Sequence, residues 1–168
     1  MHHARLLCLI SVGFWSAVVA GSQAPPAGAL PAALRDHLRG ERFQVSTSIR
    51  GLPLGVRAGL QKLFDSQALD IALDIAEPGA DFQVSDVSVN AKLPIRRLVA
   101  AGCSYDYHCL VYYERGGSAH TWQVALFHWT PAATRFEWGG SAPGGLVTID
   151  DVRNAVLSGA IKGPNKVW

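Results

Sequence analysis

Histidine and cysteine have the most scope for chemistry at neutral pH, one as a proton carrier and metal ligand, the other as a nucleophile. Of the six histidines in this 168-residue chain, His37, His108, His120 and His128 lie beyond the N-terminal stretch, as do Cys103 and Cys109. The adjacency of His108 and Cys109 suggests a Cys-His pair for nucleophilic catalysis. Neighbours on a strand point to opposite faces, however, so the two cannot pair directly if His108–Glu114 is a strand. In an oxidising compartment Cys109 is instead expected to bond Cys103. Closing that seven-residue loop stabilises the fold by about 2.4 kcal/mol in the chain-entropy model.

A metal site needs the histidines to converge. Arg115-Gly116-Gly117-Ser118 separates two β-prone runs, His108–Glu114 and Ala119–Trp129, and Gly-Gly suits the primed turns of two-residue hairpins. A turn at Gly116-Gly117 sets Tyr113 opposite His120, Val111 opposite Trp122, Cys109 opposite Val124 and His108 opposite Ala125. His120 and His128 then share a face but stand roughly 26 Å apart, from the rise of a strand. His108 points to the other face. No two of these three converge in that register, and their spacing matches no usual zinc pattern, so neither metal nor cofactor is expected.

The same hairpin gathers the polar group that the sequence singles out for binding: Tyr113, Glu114, Arg115, His120 and Trp122. Tyr113 across from His120 would make a small recognition spot. Glu114 and His120 have the chemistry of a general acid–base pair, but they occupy opposite faces in that register, which argues against direct catalysis. A hairpin end trimmed with solvated charges is the plainer reading. Arg96-Arg97 offers a weak anchor for an anionic partner. The sequence holds no Gly-x-Ser-x-Gly elbow, no His-Glu-x-x-His and no phosphate-binding glycine loop.

These residues need elements to position them. Pro31 suits the start of a short helix with Ala33, Leu34, His37 and Leu38 as its inner stripe and Gly40 as its stop. Val56, Leu60, Leu63 and Phe64 mark a second helix, starting near Pro53. Residues 69–75 alternate like a strand, but Asp70, Asp74 and Glu77 also fit a helix stripe, so the segment stays open. Strands are expected at Gln83–Val89, Ile95–Ala100, His108–Glu114, Ala119–Trp129 and Thr134–Trp138. Thr148 with Asp151 resembles a capping box for a last helix, whose inner stripe is Ile149, Val152 and Val156 and whose stop is Gly159. Together they predict an α+β domain: an antiparallel β-meander of about four to five strands packed with N-terminal helices and one C-terminal helix, in two layers.

The N-terminus reads differently. Leu6 to Ala20 is uncharged, too short to span a bilayer but suited to a signal-peptide h-region, and small residues follow at Ala20 and Ala24. The expected organisation is a cleaved signal at 1–24, a leader and short helix at 25–40, and a single α+β domain at 41–168. Export would remove Arg5, Cys8 and two aromatics, leaving 14 Lys+Arg against 13 Asp+Glu. With no basic block in this near-neutral chain, nucleic acid is not an expected partner, and no integral membrane segment should remain after cleavage.

Of thirteen aromatic residues beyond residue 24, nine fall between Tyr105 and Trp138. Strand propensity and core filling explain many of them, and an exposed sheet face would make the rest a stacking surface. The leading expectation is a periplasmic or secreted, non-enzymatic binding or accessory module for an envelope protein or a saccharide, using that face and the Cys103–Cys109 turn. The alternative is a small envelope hydrolase built on His120, Tyr113 and Glu114. Expression of the full chain in a secreting host should yield a mature protein beginning at Gly21 or Pro25, read by intact mass; retention of Met1 would refute the signal.

Overall fold

The computed structural model describes residues 28–86, 90, 92–163 and 168. The expected export signal at 1–24 lies outside them. In chain order the elements are α1 (Ala32–Gly40), β1 (Phe43–Ser46), α2 (Leu54–Leu63), β2 (Ile75–Ala76), β3 (Arg96–Ser104), β4 (His108–Arg115), β5 (Thr121–Trp129), β6 (Thr134–Ala142) and α3 (Ile149–Ser158), with short 3-10 turns at Ile49–Gly51 and Ile71–Leu73. The sheet runs β1-β3-β4-β5-β6, all antiparallel neighbours, and β2 adds a two-residue parallel pairing to β3. The α+β meander and the closing helix are as expected. Among the described residues no helix is long and apolar enough to cross a membrane.

Burial corrects the two-layer expectation. Every β4 residue from His108 to Glu114 is buried, which requires a cover on both sheet faces. On one face, α2 and the 3-10 turns bring Ile49, Val56, Leu60, Phe64 and Ile71 against Cys109, Val111, Tyr113, Ala125 and Phe127. On the other, α1 and α3 bring Leu38, Ile149, Val152 and Val156 against Leu110, Tyr112, Val124, Leu126 and Trp138. The central meander therefore offers no open aromatic face. α3 starts at the Thr148–Asp151 capping box and stops at Gly159, whose φ of 78° is left-handed.

Local differences have local causes. In α1 only Leu38 is buried; Ala33 and His37 of the expected stripe are exposed, because the helix covers the edge of its face. The ambiguous 69–75 segment is a 3-10 turn followed by β2, burying Ile71 and Ile75 while Leu69 and Leu73 stay exposed. The expected strand at Gln83–Val89 does not form over 83–86; residues 87–89 lie outside the described set. β1 was not anticipated.

The largest correction is the β4–β5 register. Tyr113 stands opposite Gln123, Glu114 opposite Trp122, and His108 opposite His128, so Gly116–His120 is a five-residue loop in place of a two-residue turn. The two glycines serve a crossing segment instead. Gly116 N–H donates to Ile95 O and Gly117 N–H to Val84 O, and a Cβ on Gly116 would run into the carbonyl of Gln83. The pairing thus moves by an odd number of residues relative to the expected one, which reverses the face assigned to each β5 residue relative to β4.

Gly59 shows how closely α2 approaches the sheet. A Cβ there would lie 2.7 Å from Cε1 of Phe127, whose ring is fully buried. Helix propensity alone favours Gly59→Ala by about 1 kcal/mol, but overpacking costs about 1–3 kcal/mol. Gly59→Ala should therefore lower the urea midpoint; a higher midpoint would contradict this close approach.

Candidate functional site

Burying a charge-bearing side chain without a partner is costly, and β4 carries one near each end of its α1/α3 face. At the Arg115 end, Glu114 accepts from Nε of Arg97 at 2.6 Å and contacts Nε2 of His120 at 2.8 Å. His120 stacks on Trp122 with ring centroids 4.5 Å apart, and Arg97 lies over the Phe82 ring at 4.5 Å. Contrary to the opposite-face expectation, Glu114 and His120 therefore meet, and Trp122 joins them. Tyr113 does not. It is fully buried on the α2 face, edge-on to Phe64 at 5.2 Å, and burial pushes its hydroxyl well above the usual range. That hydroxyl has no hydrogen-bond partner among the described residues. Alternation places half-buried Arg115 on the same side as Tyr113. The five predicted residues thus split between the two faces of the sheet.

The other end of β4 holds a group that the sequence reading missed. His108 Nδ1 lies 2.5 Å from Oε1 of Glu41, just after α1, and its Nε2 lies 3.5 Å from Oε2 of Glu137 on β6. Ser104 Oγ donates to Glu41 Oε2 at 2.6 Å and accepts from the His108 N–H at 3.1 Å. Arg153 of α3 donates to the Glu41 carbonyl at 2.7 Å, and Arg135 pairs with Glu137 at 2.6 Å. The His128 ring is 5.5 Å from that of His108, and the His37 ring 6.2 Å, both between centroids. The corrected register therefore overturns the expectation that no two of these histidines converge. Among the described residues, no group of three or more His, Cys, Asp or Glu side chains is arranged to hold a metal ion.

Electrostatics follow from these contacts. The hydrogen bond to Glu41 raises the pKa of His108 against the opposing pull of burial, and Glu137 adds to the rise. Burial alone would push the Glu41 carboxyl up, but hydrogen bonds from His108 and Ser104 and the charge of the imidazole hold it below its ordinary value. Neutral histidine carries one ring N–H, so only the imidazolium can donate to Glu41 and Glu137 together.

Above this group opens a cleft of about 700 Å³, lined by Pro31 and α1 (Ala33, Leu34, His37), by Asp106, Tyr107 and His108, by His128, and by Arg135, Phe136 and Glu137. Its rim is the Cys103–Cys109 turn, and that disulfide forms as expected. Tyr107 sits at a left-handed φ of 68°, costly for a residue with a Cβ. The Tyr107 carbonyl accepts from the Trp129 N–H at 2.8 Å, and the disulfide closes the loop below it. Tyr107 and Phe136 remain among the exposed large hydrophobic residues. The chain matches no protein-family model, no curated protein and no solved structure.

The pKa directions fix a pH window. His108, raised in the folded state, contributes stability in full below its unfolded value of 6.5, and that contribution is lost as pH rises through the folded value. Glu41, lowered, contributes above 4.5 and loses its contribution as pH falls through its folded value. The pair should thus hold best between pH 4.5 and 6.5. The His108 ring resonance should titrate above the ordinary histidine midpoint, and Glu41→Gln should bring it down; an unmoved midpoint would refute the pairing.

Proposed function

We propose that this protein is an exported, non-enzymatic binding or accessory module that meets its ligand in the cleft beneath α1, at the disulfide-pinned end of the sheet. One observation carries the reading. The exposed Tyr107 ring and the apolar Pro31, Ala33 and Leu34 flank polar side chains that converge from α1, the β3–β4 turn, β5 and β6 on a single concave surface. A concave site with an apolar wall and a few placed polar groups is the usual form of a ligand pocket. The disulfide fits an oxidising compartment, in keeping with export.

The contact surface differs from the one read in the sequence. The sheet face is covered by helices, so the Cys103–Cys109 turn is the part of that surface left to support binding. The alternative, an envelope hydrolase using His120, Tyr113 and Glu114, draws support from the His120–Glu114 contact alone. Glu114 is already engaged by Arg97, and Tyr113 faces the other core.

Amide chemical-shift mapping tests the cleft directly. Neutral oligosaccharides, dipeptides and short carboxylic acids would be added in turn to the labelled protein. At least one class should shift Tyr107, His108, His128 and Phe136 together. Shifts confined to His120 and Trp122, or none from any class, would overturn the reading.

A further inference from the structure

We infer that Arg96, Arg115 and the Tyr113 hydroxyl form a binding site for a carboxylate, on the opposite face and at the opposite end of the sheet from the cleft. Arg96 and Arg115 are direct cross-strand partners on β3 and β4. By alternation they share the α2 face with Leu98 and Tyr113, both part of the core beneath α2. The two adjacent arginines that suggested an anion anchor in the sequence are thereby divided. Arg97 is spent on Glu114, while Arg96 faces the other way, beside Arg115. Both Arg96 and Arg115 are half-buried, so each keeps a side open to solvent.

The first support is unbalanced charge. Like charges set directly opposite one another on a sheet repel. All 13 Asp and Glu residues lie among the described residues, and none of them forms an ion pair with Arg96 or Arg115. Asp74 acts on Arg96 only from beyond ion-pair distance, and its carboxylate accepts from Ser66 Oγ. Two cations and one acid leave a surplus of one positive charge. A carboxylate neutralises that surplus, and a dianion such as sulfate overshoots it.

The second support is a set of donors with no acceptor. Tyr113 is fully buried, yet its hydroxyl has no hydrogen-bond partner among the described residues, and neither has the Nε of Arg96 or of Arg115. Arginine N–H groups only donate, and a tyrosine hydroxyl donates as well, so what the group lacks is an acceptor. The Tyr113 hydroxyl is within electrostatic reach of both guanidiniums. The Phe64 ring ties the group together, with the Arg96 guanidinium 4.1 Å from its centroid and the Tyr113 ring edge-on at 5.2 Å. Arg96 also shows the kind of acceptor it takes, because its Nη2 donates to the main-chain oxygen of Trp168 at 2.6 Å. A carboxylate presents two such planar oxygens, in the geometry that a guanidinium fork matches. Water would supply acceptors but would leave the two like charges unbalanced.

The test is titration of the intact protein with acetate, benzoate and N-acetylalanine, beside sulfate, and with chloride at matched ionic strength. The readouts are the Nε–Hε resonances of Arg96 and Arg115 and the melting temperature. At least one carboxylate should shift both resonances saturably and raise the melting temperature, as a ligand of the native state must. Tightest binding of N-acetylalanine would identify a peptide terminus as the source, and of acetate or benzoate a small acid. Tyr113→Phe and Arg115→Gln should each weaken binding about tenfold, equivalent to 1.4 kcal/mol, while Arg39→Gln, from an exposed ion pair on α1, leaves it unchanged. Without ligand, Tyr113→Phe should melt no lower than the parent, since it removes a buried hydroxyl that lacks a partner; a lower melt would overturn the second support. If Arg115→Gln does not fold, Arg115→Lys takes its place, keeping the charge but losing the planar fork, with weakening again expected. Saturable binding of sulfate alone would overturn the carboxylate assignment. Shifts that chloride reproduces, no shift at either arginine, or binding that survives both Tyr113→Phe and Arg115→Gln would overturn the site. None of these outcomes bears on the cleft, which the shift mapping above tests at other residues.

Discussion

A strand covered on both faces tolerates no unpaired charge, and β4 carries a titratable side chain near each end. His108 at one end and Glu114 at the other lie on the same face by the two-residue alternation of a strand, separated by Leu110 and Tyr112. Each imposes a demand on the surrounding chain. His108 draws in Glu41 from beyond α1, Glu137 from β6 and Ser104 from β3. Glu114 draws in Arg97 from β3 and His120 from the loop before β5. The neighbouring elements are located by these requirements as well as by the apolar layers between them.

The two clusters answer the same demand differently. Around Glu114 the partners close over the carboxylate, with the Phe82 and Trp122 rings lying against Arg97 and His120, which is the form of a structural ion pair. Around His108 the buried side is equally well partnered, by Glu41 and Ser104, but the imidazole and Glu137 also line a cleft. Full pairing behind and exposure in front hold a polar group in one orientation toward whatever enters.

Much of the architecture was legible from local pattern. The four meander strands, α2, the capping box and Gly159 of α3, and the Cys103–Cys109 bridge all depend on spacing over a few residues. What failed depended on contacts between distant segments. Gly116-Gly117 signals a tight turn, yet those glycines accommodate residues 83–84 passing the end of the strand, which no local rule anticipates. That single error reversed the relative facing of the two central strands. It separated Glu114 from His120 and His108 from His128, and it brought Tyr113 to a partner it never meets. Glu41 carried no signal beyond being an acid after a helix stop, because its role depends on a histidine 67 positions away.

That separation also governs when the cleft comes into being. Its floor needs Glu41 from before the sheet, His108 from its centre, Glu137 from its last strand, and Arg153, 112 positions past Glu41, to hold the Glu41 carbonyl from α3. Contacts between such distant positions form only after the loop-closure entropy of the intervening chain has been overcome. A nascent chain that has made α1 and β1 owns one wall of the cleft and nothing for it to face. The disulfide turn can close earlier, since its two cysteines are six positions apart. The cleft is thus among the last features the molecule acquires, and its completed floor reports that folding has reached the C-terminal helix.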